Sequence, residues 1–235
     1  MLQEYKRDRK IWKFEEDINL RSDILGTKRI LKMLKNLEGT QVLDLGCANG
    51  KVARYLAHQG AFVVGVDLVE EQIELCKKLT PIDLNVEFYN KNIVDPLNLE
   101  RKFDLILGLM VFLYLNEDEF KKSIKNLSND IKSGGIFYYL DIHPSRLMQD
   151  NPDLSYFDSH LLSTSLSTNS GITFNTTYYH HPLELVCNTI TDSGFNISRI
   201  HEPQPSKQEL EEYPELFQGN NLFPKYLIIE AVKHN

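Results

Sequence analysis

The sequence predicts an α/β domain built on a largely parallel sheet. Two observations carry this expectation. From about residue 28 onward, apolar runs of strand length alternate with apolar faces at helical spacing. Early in that alternation the run Val42-Leu43-Asp44-Leu45 enters a tight turn of small residues at 46–50, and the next strand ends on an acid, Asp67. The composition agrees: 235 residues at 42% hydrophobic content suffice for one domain whose core needs no covalent staples. No repeat, low-complexity tract or linker divides the chain, so 1–235 is expected to be one domain.

The elements follow in order. Ile30, Leu31, Met33, Leu34 and Leu37 have helical spacing, and Gly39 ends that helix. The strand at 42–45 and its turn lead to a second helix, with Val52, Ala53, Leu56 and Ala57 on one face and Gly60 as its stop. A buried strand at 62–66 reaches Asp67, and a helix over 69–79 breaks at Pro81. Strands are predicted at 86–89 and 103–107, then a loop through Leu109 and 111–115. An amphipathic helix is expected over 117–131, a turn at Ser133-Gly134-Gly135 and a strand over 136–142. His181-Pro182 opens a helix that Gly194 caps, and strands at 195–200 and 226–232 close the chain. Two regions break the rhythm. Residues 1–27 carry mixed charge with Tyr5, Trp12 and Phe14, and are expected to form a helical lid. Residues 144–180 are rich in Ser, Thr and Asn and are expected to form a cap insert, since so long a loop is rarely idle.

Charge and cysteine usage exclude several classes. The net charge is −7 with no long basic run, so no nucleic-acid partner is expected. No segment approaches the roughly 20 apolar residues that span a bilayer. Residues 1–7 lack the apolar run of a signal peptide, so the expected compartment is the cytoplasm. Cys47, Cys76 and Cys187 fit neither a disulfide framework nor a Cys-x-x-Cys metal site, and no metal is expected.

The turn carries the chemistry. Gly46 permits a backbone conformation that a Cβ resists, and the small Cys47 and Ala48 let a ligand approach the chain. A helix then begins near Gly50 and offers unpaired N–H groups. Asp67 lies at the carboxyl end of the next strand, where an acid can accept both ribose hydroxyls. A dinucleotide site would space its glycines as G-x-G-x-x-G around a pyrophosphate. Here the pattern is Gly46-x-Ala48-x-Gly50, and Asp44 would repel a phosphate but suit an ammonium group. S-adenosyl-L-methionine has an amino-acid tail and no phosphate, which favours it over a nicotinamide cofactor. The bland alternative is a plain strand–helix turn of some other α/β fold.

At this point the sequence resembles the class I S-adenosylmethionine-dependent methyltransferases. Residues 42–50, V-L-D-L-G-C-A-N-G, look like the family's first motif, with Ala48 in place of the central glycine. Val64-Gly65-Val66-Asp67 is similar to the second motif, whose acid holds the ribose, with Leu68 beside the adenine. Asn92-Ile93 lies where the family often has an Asp and an apolar residue near the adenine amine. The stretch Phe103-Asp104-Leu105-Ile106 with Leu109 matches the fourth strand and the loop under the methionine moiety, and Lys132-Ser133-Gly134-Gly135 looks like the turn before strand five. Asp141-Ile142-His143-Pro144, Tyr179-His180-His181-Pro182-Leu183, Ser193-Gly194-Phe195, His201-Glu202-Pro203 and 224–231 resemble a small-molecule subfamily. The resemblance covers roughly residues 25–235. It implies a Rossmann-like, seven-stranded, mostly parallel sheet flanked by helices, with the last strand antiparallel. It also implies methyl transfer from S-adenosyl-L-methionine, and places Glu202 outside the catalytic pocket.

Methyl transfer from a sulfonium needs alignment and dryness more than catalytic groups, and a base only where the acceptor must lose a proton. His143, at the carboxyl end of strand five, is the first candidate base, against a structural role beside Pro144. His180 is the second candidate. His181, before Pro182, suits a helix cap, and His143, His180 and His181 are also candidates for acceptor binding. Tyr114 is a weaker candidate, equally suited to core packing, and so is Asp141. Arg21 is expected to pair with the methionine carboxylate, and Tyr5 and Trp12 to wall the acceptor. The expected acceptor is a small molecule methylated at oxygen or nitrogen by a monomer or homodimer. RNA or protein methylation, or binding of the cofactor without turnover, are the alternatives.

Overall fold

The computed structural model describes residues 23–146, 151–167, 173–214, 217 and 223–234. Its strands are β1 (Gln41–Leu45), β2 (Phe62–Asp67), β3 (Val86–Asn90), β4 (Phe103–Leu109), β5 (Ile131–Ile142), β6 (His160–Ser167), β7 (Thr173–His180), β8 (Phe195–His201) and β9 (Tyr226–Lys233). Its α-helices are α1 (Lys28–Met33), α2 (Lys51–His58), α3 (Glu70–Leu79), α4 (Glu117–Leu127), α5 (Leu183–Asp192) and α6 (Lys207–Glu212). A π-helical turn, Asp23–Thr27, leads into α1, and a 3-10 turn, Phe112–Tyr114, follows β4.

Seven strands form one sheet in the order β3-β2-β1-β4-β5-β9-β8. The first five are parallel, and β9 runs antiparallel to both β5 and β8. This is the Rossmann-like sheet that the sequence leads one to expect. Consecutive side chains point to opposite faces, which divides the core in two. On one face Leu43, Val64, Ile106 and Phe137 lie with Phe120 and Ile124 of α4 and Val186 and Ile190 of α5. On the other, Val42, Val63, Leu105 and Leu140 lie with Ile30 of α1, Leu56 of α2 and Ile73 of α3. Each such fully buried side chain contributes roughly 1.5–3 kcal/mol. Strand order reverses beside β1, between β2 and β4, so a crevice opens outside the carboxyl ends of these strands.

The structure departs from the expected elements in four places. Helix α1 ends at Met33, because Leu34 turns extended and Asn36 takes a left-handed conformation with φ 54°. Helix α4 stops at Leu127, and Ile131 already pairs with Phe103 as the start of β5. The Ser133-Gly134-Gly135 turn becomes an irregularity within β5, where the register slips between Phe103 and Leu105 and Gly134 has φ 73°. Helix α6 was not expected, although Ser206 and Glu209 form a reciprocal cap at its start. The polar insert is an antiparallel hairpin of β6 and β7, which packs through Leu162 and Tyr178 onto Leu113. Among the described residues no helix is long and apolar enough to cross a membrane.

Candidate active site

The turn after β1 is fixed by its neighbour strand. Gly46 and Cys47 donate their N–H groups to the Val66 carbonyl at 2.8 and 3.0 Å. Gly46, Ala48 and Gly50 all have positive φ, at 68°, 47° and 75°. A Cβ on Gly46 would lie 2.6 Å from Val111 Cγ2, so both conformation and space demand glycine. The left-handed position of Ala48 explains why the resembled motif has a glycine there: a side chain costs free energy in this region. The Cys76 thiol donates to the Ala48 carbonyl at 3.0 Å and supports the turn from below. Cys47 is a buried neutral thiol whose pKa lies well above its usual value, through the Cys76 thiol, burial and the nearby acids. Its sulfur sits against Gly65 rather than in the crevice, since a Cβ on Gly65 would come within 3.0 Å of it.

Two acids flank this turn. Asp67 accepts the Ala48 N–H on one carboxylate oxygen at 3.0 Å and the Val69 N–H on the other at 2.9 Å. Asp67 thus organises the turn and also lines the cleft. Asp44 is buried at 3% exposure, and its Oδ2 has no partner among the described residues. Burial, then the charge of Asp67, pushes its carboxyl up to about 7 against the pull of the Ala53 backbone. A buried acceptor left unpaired is costly and calls for a donor, and an ammonium group is a fitting one.

Between Asp67 and the insert lies a narrow cleft of about 80 Å³, below the usual range for small-molecule sites, and Asp44 is buried behind the turn rather than among the residues that line it. Gly46, Asp67, Leu68, Lys91, Asn92 and Ile93 form its β1–β3 end. Val94, Val111 and Leu115 give it an apolar middle, and Tyr114, Glu119, Thr177 and Tyr179 form the remaining wall. Asn92 Oδ1 accepts the Val94 N–H at 3.1 Å, which shapes the loop that presents Ile93. Leu109 does not line the cleft. It packs into the core face beneath α1 to α3, and Val111 takes the expected place after Met110 turns left-handed with φ 56°.

The three histidines are not gathered at the cleft. His143 Nδ1 accepts the Ser145 N–H at 3.2 Å and lies 2.8 Å from Ser145 Oγ, while Nε2 lies 2.9 Å from Glu202 Oε1. His143 therefore caps its own chain turn and tethers the loop after β8, rather than facing the acceptor. Glu202, expected as a plain loop acid, is its partner. Burial holds the His143 imidazole below its usual pKa, although Glu202 acts the other way. His180 is fully buried, with Nε2 on the Tyr156 carbonyl at 2.8 Å. His181 Nε2 meets the Leu115 carbonyl at 3.0 Å, and burial pulls its pKa down to about 4. It does not cap α5, whose N-cap is Pro182. Asp141 is buried beside Tyr139, and burial raises its carboxyl well above the usual range. Of the expected catalytic candidates only Tyr114 lines the cleft. Tyr5, Trp12, Phe14 and Arg21 lie outside the described residues.

Sequence reasoning missed Lys91, Val94, Val111, Leu115, Glu119, Thr177 and Tyr179. Glu119 had a signal: Asn116-x-x-Glu119 is a capping-box pattern that fixes the start of α4 beside the cleft. Thr177 and Tyr179 follow from the alternation of β7, whose neighbours Tyr178 and His180 are buried. Among the described residues no group of His, Cys, Asp and Glu side chains could hold a metal ion.

The sheet order, a turn without the pyrophosphate glycine pattern and an acid at the end of β2 define a nucleoside-binding α/β domain. Comparison with known proteins narrows the class. Residues 42–135 match the family model of a methyltransferase domain. The ubiquinone biosynthesis O-methyltransferase of Coxiella burnetii is 31% identical over 46% of this chain and 45% of its own length. The chain spans less than half the length of the first curated relatives it matches. An S-adenosylmethionine dependent methyltransferase of Mesorhizobium loti shares the fold with a TM-score of 0.69 at 19% identity, over 88% of this chain and 96% of that one. The N-methyltransferase NodS of Bradyrhizobium japonicum, solved with S-adenosyl-L-homocysteine, gives a TM-score of 0.69 at 12% identity, over 99% of this chain and all of that one. Residues 42–135 thus match a methyltransferase domain, and the chain has the fold of the class I S-adenosylmethionine-dependent methyltransferases.

Proposed function

We propose that the chain transfers a methyl group from S-adenosyl-L-methionine to an oxygen or nitrogen of a small molecule. One observation carries this reading: Asp44 and Asp67 flank a left-handed turn, the first with a buried oxygen that has no partner among the described residues and the second holding the turn and lining the cleft. When bound, S-adenosyl-L-methionine supplies a methyl carbon already activated by a sulfonium. Asp44 receives the ammonium of its amino-acid tail, and Asp67 receives the ribose hydroxyls. Leu68, Asn92 and Ile93 border the base. Val94, Val111 and Leu115 exclude water from the middle of the cleft. The acceptor takes the wall of Tyr114, Glu119, Thr177 and Tyr179, half of it supplied by the insert hairpin. With His143, His180 and His181 bonded to protein partners, this reading uses no histidine base. It relies on alignment and dryness instead.

Calorimetric titration with S-adenosyl-L-homocysteine and, separately, NAD tests the reading. Binding of the first and not the second is expected. Binding of NAD alone overturns it.

A further inference from the structure

The acceptor wall has a chemical bias. Glu119 stands in the first turn of α4, where its Oε2 accepts the Asn116 N–H at 3.0 Å. Among the described residues no donor holds Oε1 and no cation pairs with the carboxylate, yet the residue lines the cleft. Capping alone explains Oε2 and leaves Oε1 unaccounted for. Among the described residues no neighbour pairs with Glu119 as a cation. Tyr179 is a neutral phenol, its proton held by burial and by the charge of Glu119. His181 stacks on the Tyr179 ring with 6.2 Å between centroids and 6° between planes, and burial keeps that imidazole neutral. Lys91 is the one cation among the described cleft-lining residues; its backbone N–H is held by the Asp67 carbonyl, and among the described residues it forms no ion pair with Glu119. The far wall thus combines one unpaired carboxylate with the rings of Tyr114 and Tyr179. A neutral acceptor would strip water from Glu119 without replacing its hydrogen bonds. A cationic one satisfies the carboxylate and gains from the ring faces.

We propose that the acceptor carries a protonated amine, and that Glu119 anchors that amine between Tyr114 and Tyr179. This deepens, and rests on, the methyl-transfer reading of the same cleft. The anchor fixes which molecules enter and leaves open which of their atoms is methylated.

Matched probes test it. Protein saturated with S-adenosyl-L-homocysteine is titrated with phenethylamine and 2-phenylethanol, tyramine and tyrosol, and tryptamine and tryptophol. At least one amine is expected to bind about tenfold more tightly than its alcohol, the effect of one charge-assisted hydrogen bond. That preference should collapse in Glu119→Gln. Glutamine also completes a capping box, so α4 keeps its start, and the melting temperature of the variant checks that it does. Three pairs that fail to separate in the wild-type protein overturn the proposal, as does a preference that survives in Glu119→Gln. If S-adenosyl-L-homocysteine itself fails to bind, the underlying reading falls and the proposal falls with it. If it binds and the pairs behave alike, the amine anchor alone is wrong.

Discussion

The two ends of the cleft are built in different ways. The β1–β3 end is made of backbone: three left-handed residues, N–H groups tied to Val66 and Asp67, and two acids within one strand–turn–helix–strand unit. The opposite wall is made of side chains from remote elements, Tyr114 after β4, Glu119 in α4 and Thr177 and Tyr179 in the hairpin. A ligand common to many enzymes can be held by conformation, which tolerates little change. A ligand particular to one enzyme is held by side chains, which can be exchanged without disturbing the sheet. Substitutions at the first end should therefore damage fold and cofactor binding together, and those at the second should separate them.

The largest expected effect is at Gly46. Gly46→Ala meets Val111 at 2.6 Å in a conformation that resists a Cβ. It should cost about 2–3 kcal/mol of stability and abolish detectable binding of S-adenosyl-L-homocysteine, read by denaturant unfolding and calorimetry.

Asp44→Asn should act in two directions. The folded pKa of Asp44, about 7, lies above its unfolded value near 3.8. The wild-type protein therefore loses stability as pH rises between these values and carries the whole penalty above 7. The variant escapes it, so without ligand it should be more stable by about 2 kcal/mol at pH 8. That gain should vanish below pH 4. Its affinity for S-adenosyl-L-homocysteine should nevertheless fall about tenfold, for loss of a charged hydrogen bond. Paired unfolding and binding curves at both pH values decide it.

The same contrast governs what the sequence reveals. The β1–β3 end is legible because its determinants are short-range: Gly46, Gly50 and Asp67 are recognisable by spacing alone. The seven-stranded, mostly parallel sheet with its last strand antiparallel follows from the alternation and the resemblance, whereas the strand order is read only from the structure. The far wall is less legible because tertiary packing decides it. His143 looked like a base from its place after β5, yet Ser145 and Glu202 claim both ring nitrogens. Leu109 was displaced by Val111 through a left-handed Met110 that no local pattern announces. The hairpin of β6 and β7 hid in a polar stretch, where Thr177 and Tyr179 serve a cleft rather than a core.

His181 offers a smaller effect on the hairpin side. Its folded pKa, about 4, lies below its ordinary value of 6.5. Its contribution is therefore complete above pH 6.5 and lost as pH falls toward 4, because the unfolded chain binds the proton first. The protein should lose about 2 kcal/mol across that window from this residue, and His181→Gln should lose less. Unfolding free energies at pH 7 and pH 4.5 measure the difference.

Ala48→Gly is expected to be the mildest change. It relieves a left-handed φ of 47° and should stabilise the protein by about 0.5–1 kcal/mol. Cofactor affinity should be kept, because the hydrogen bond to Asp67 runs from the backbone N–H.

The central claim is that Asp67 joins the turn to the cofactor. Asp67→Asn keeps the size of the side chain and removes its charge. It leaves one carbonyl oxygen where two carboxylate oxygens receive the Ala48 and Val69 N–H groups. Titration of S-adenosyl-L-homocysteine into wild-type protein and this variant, each shown to be folded by its unfolding transition, is the most direct measurement. The account predicts an affinity lower by about a hundredfold in the variant, the equivalent of about 2.8 kcal/mol. Equal affinities in the two folded proteins would contradict it.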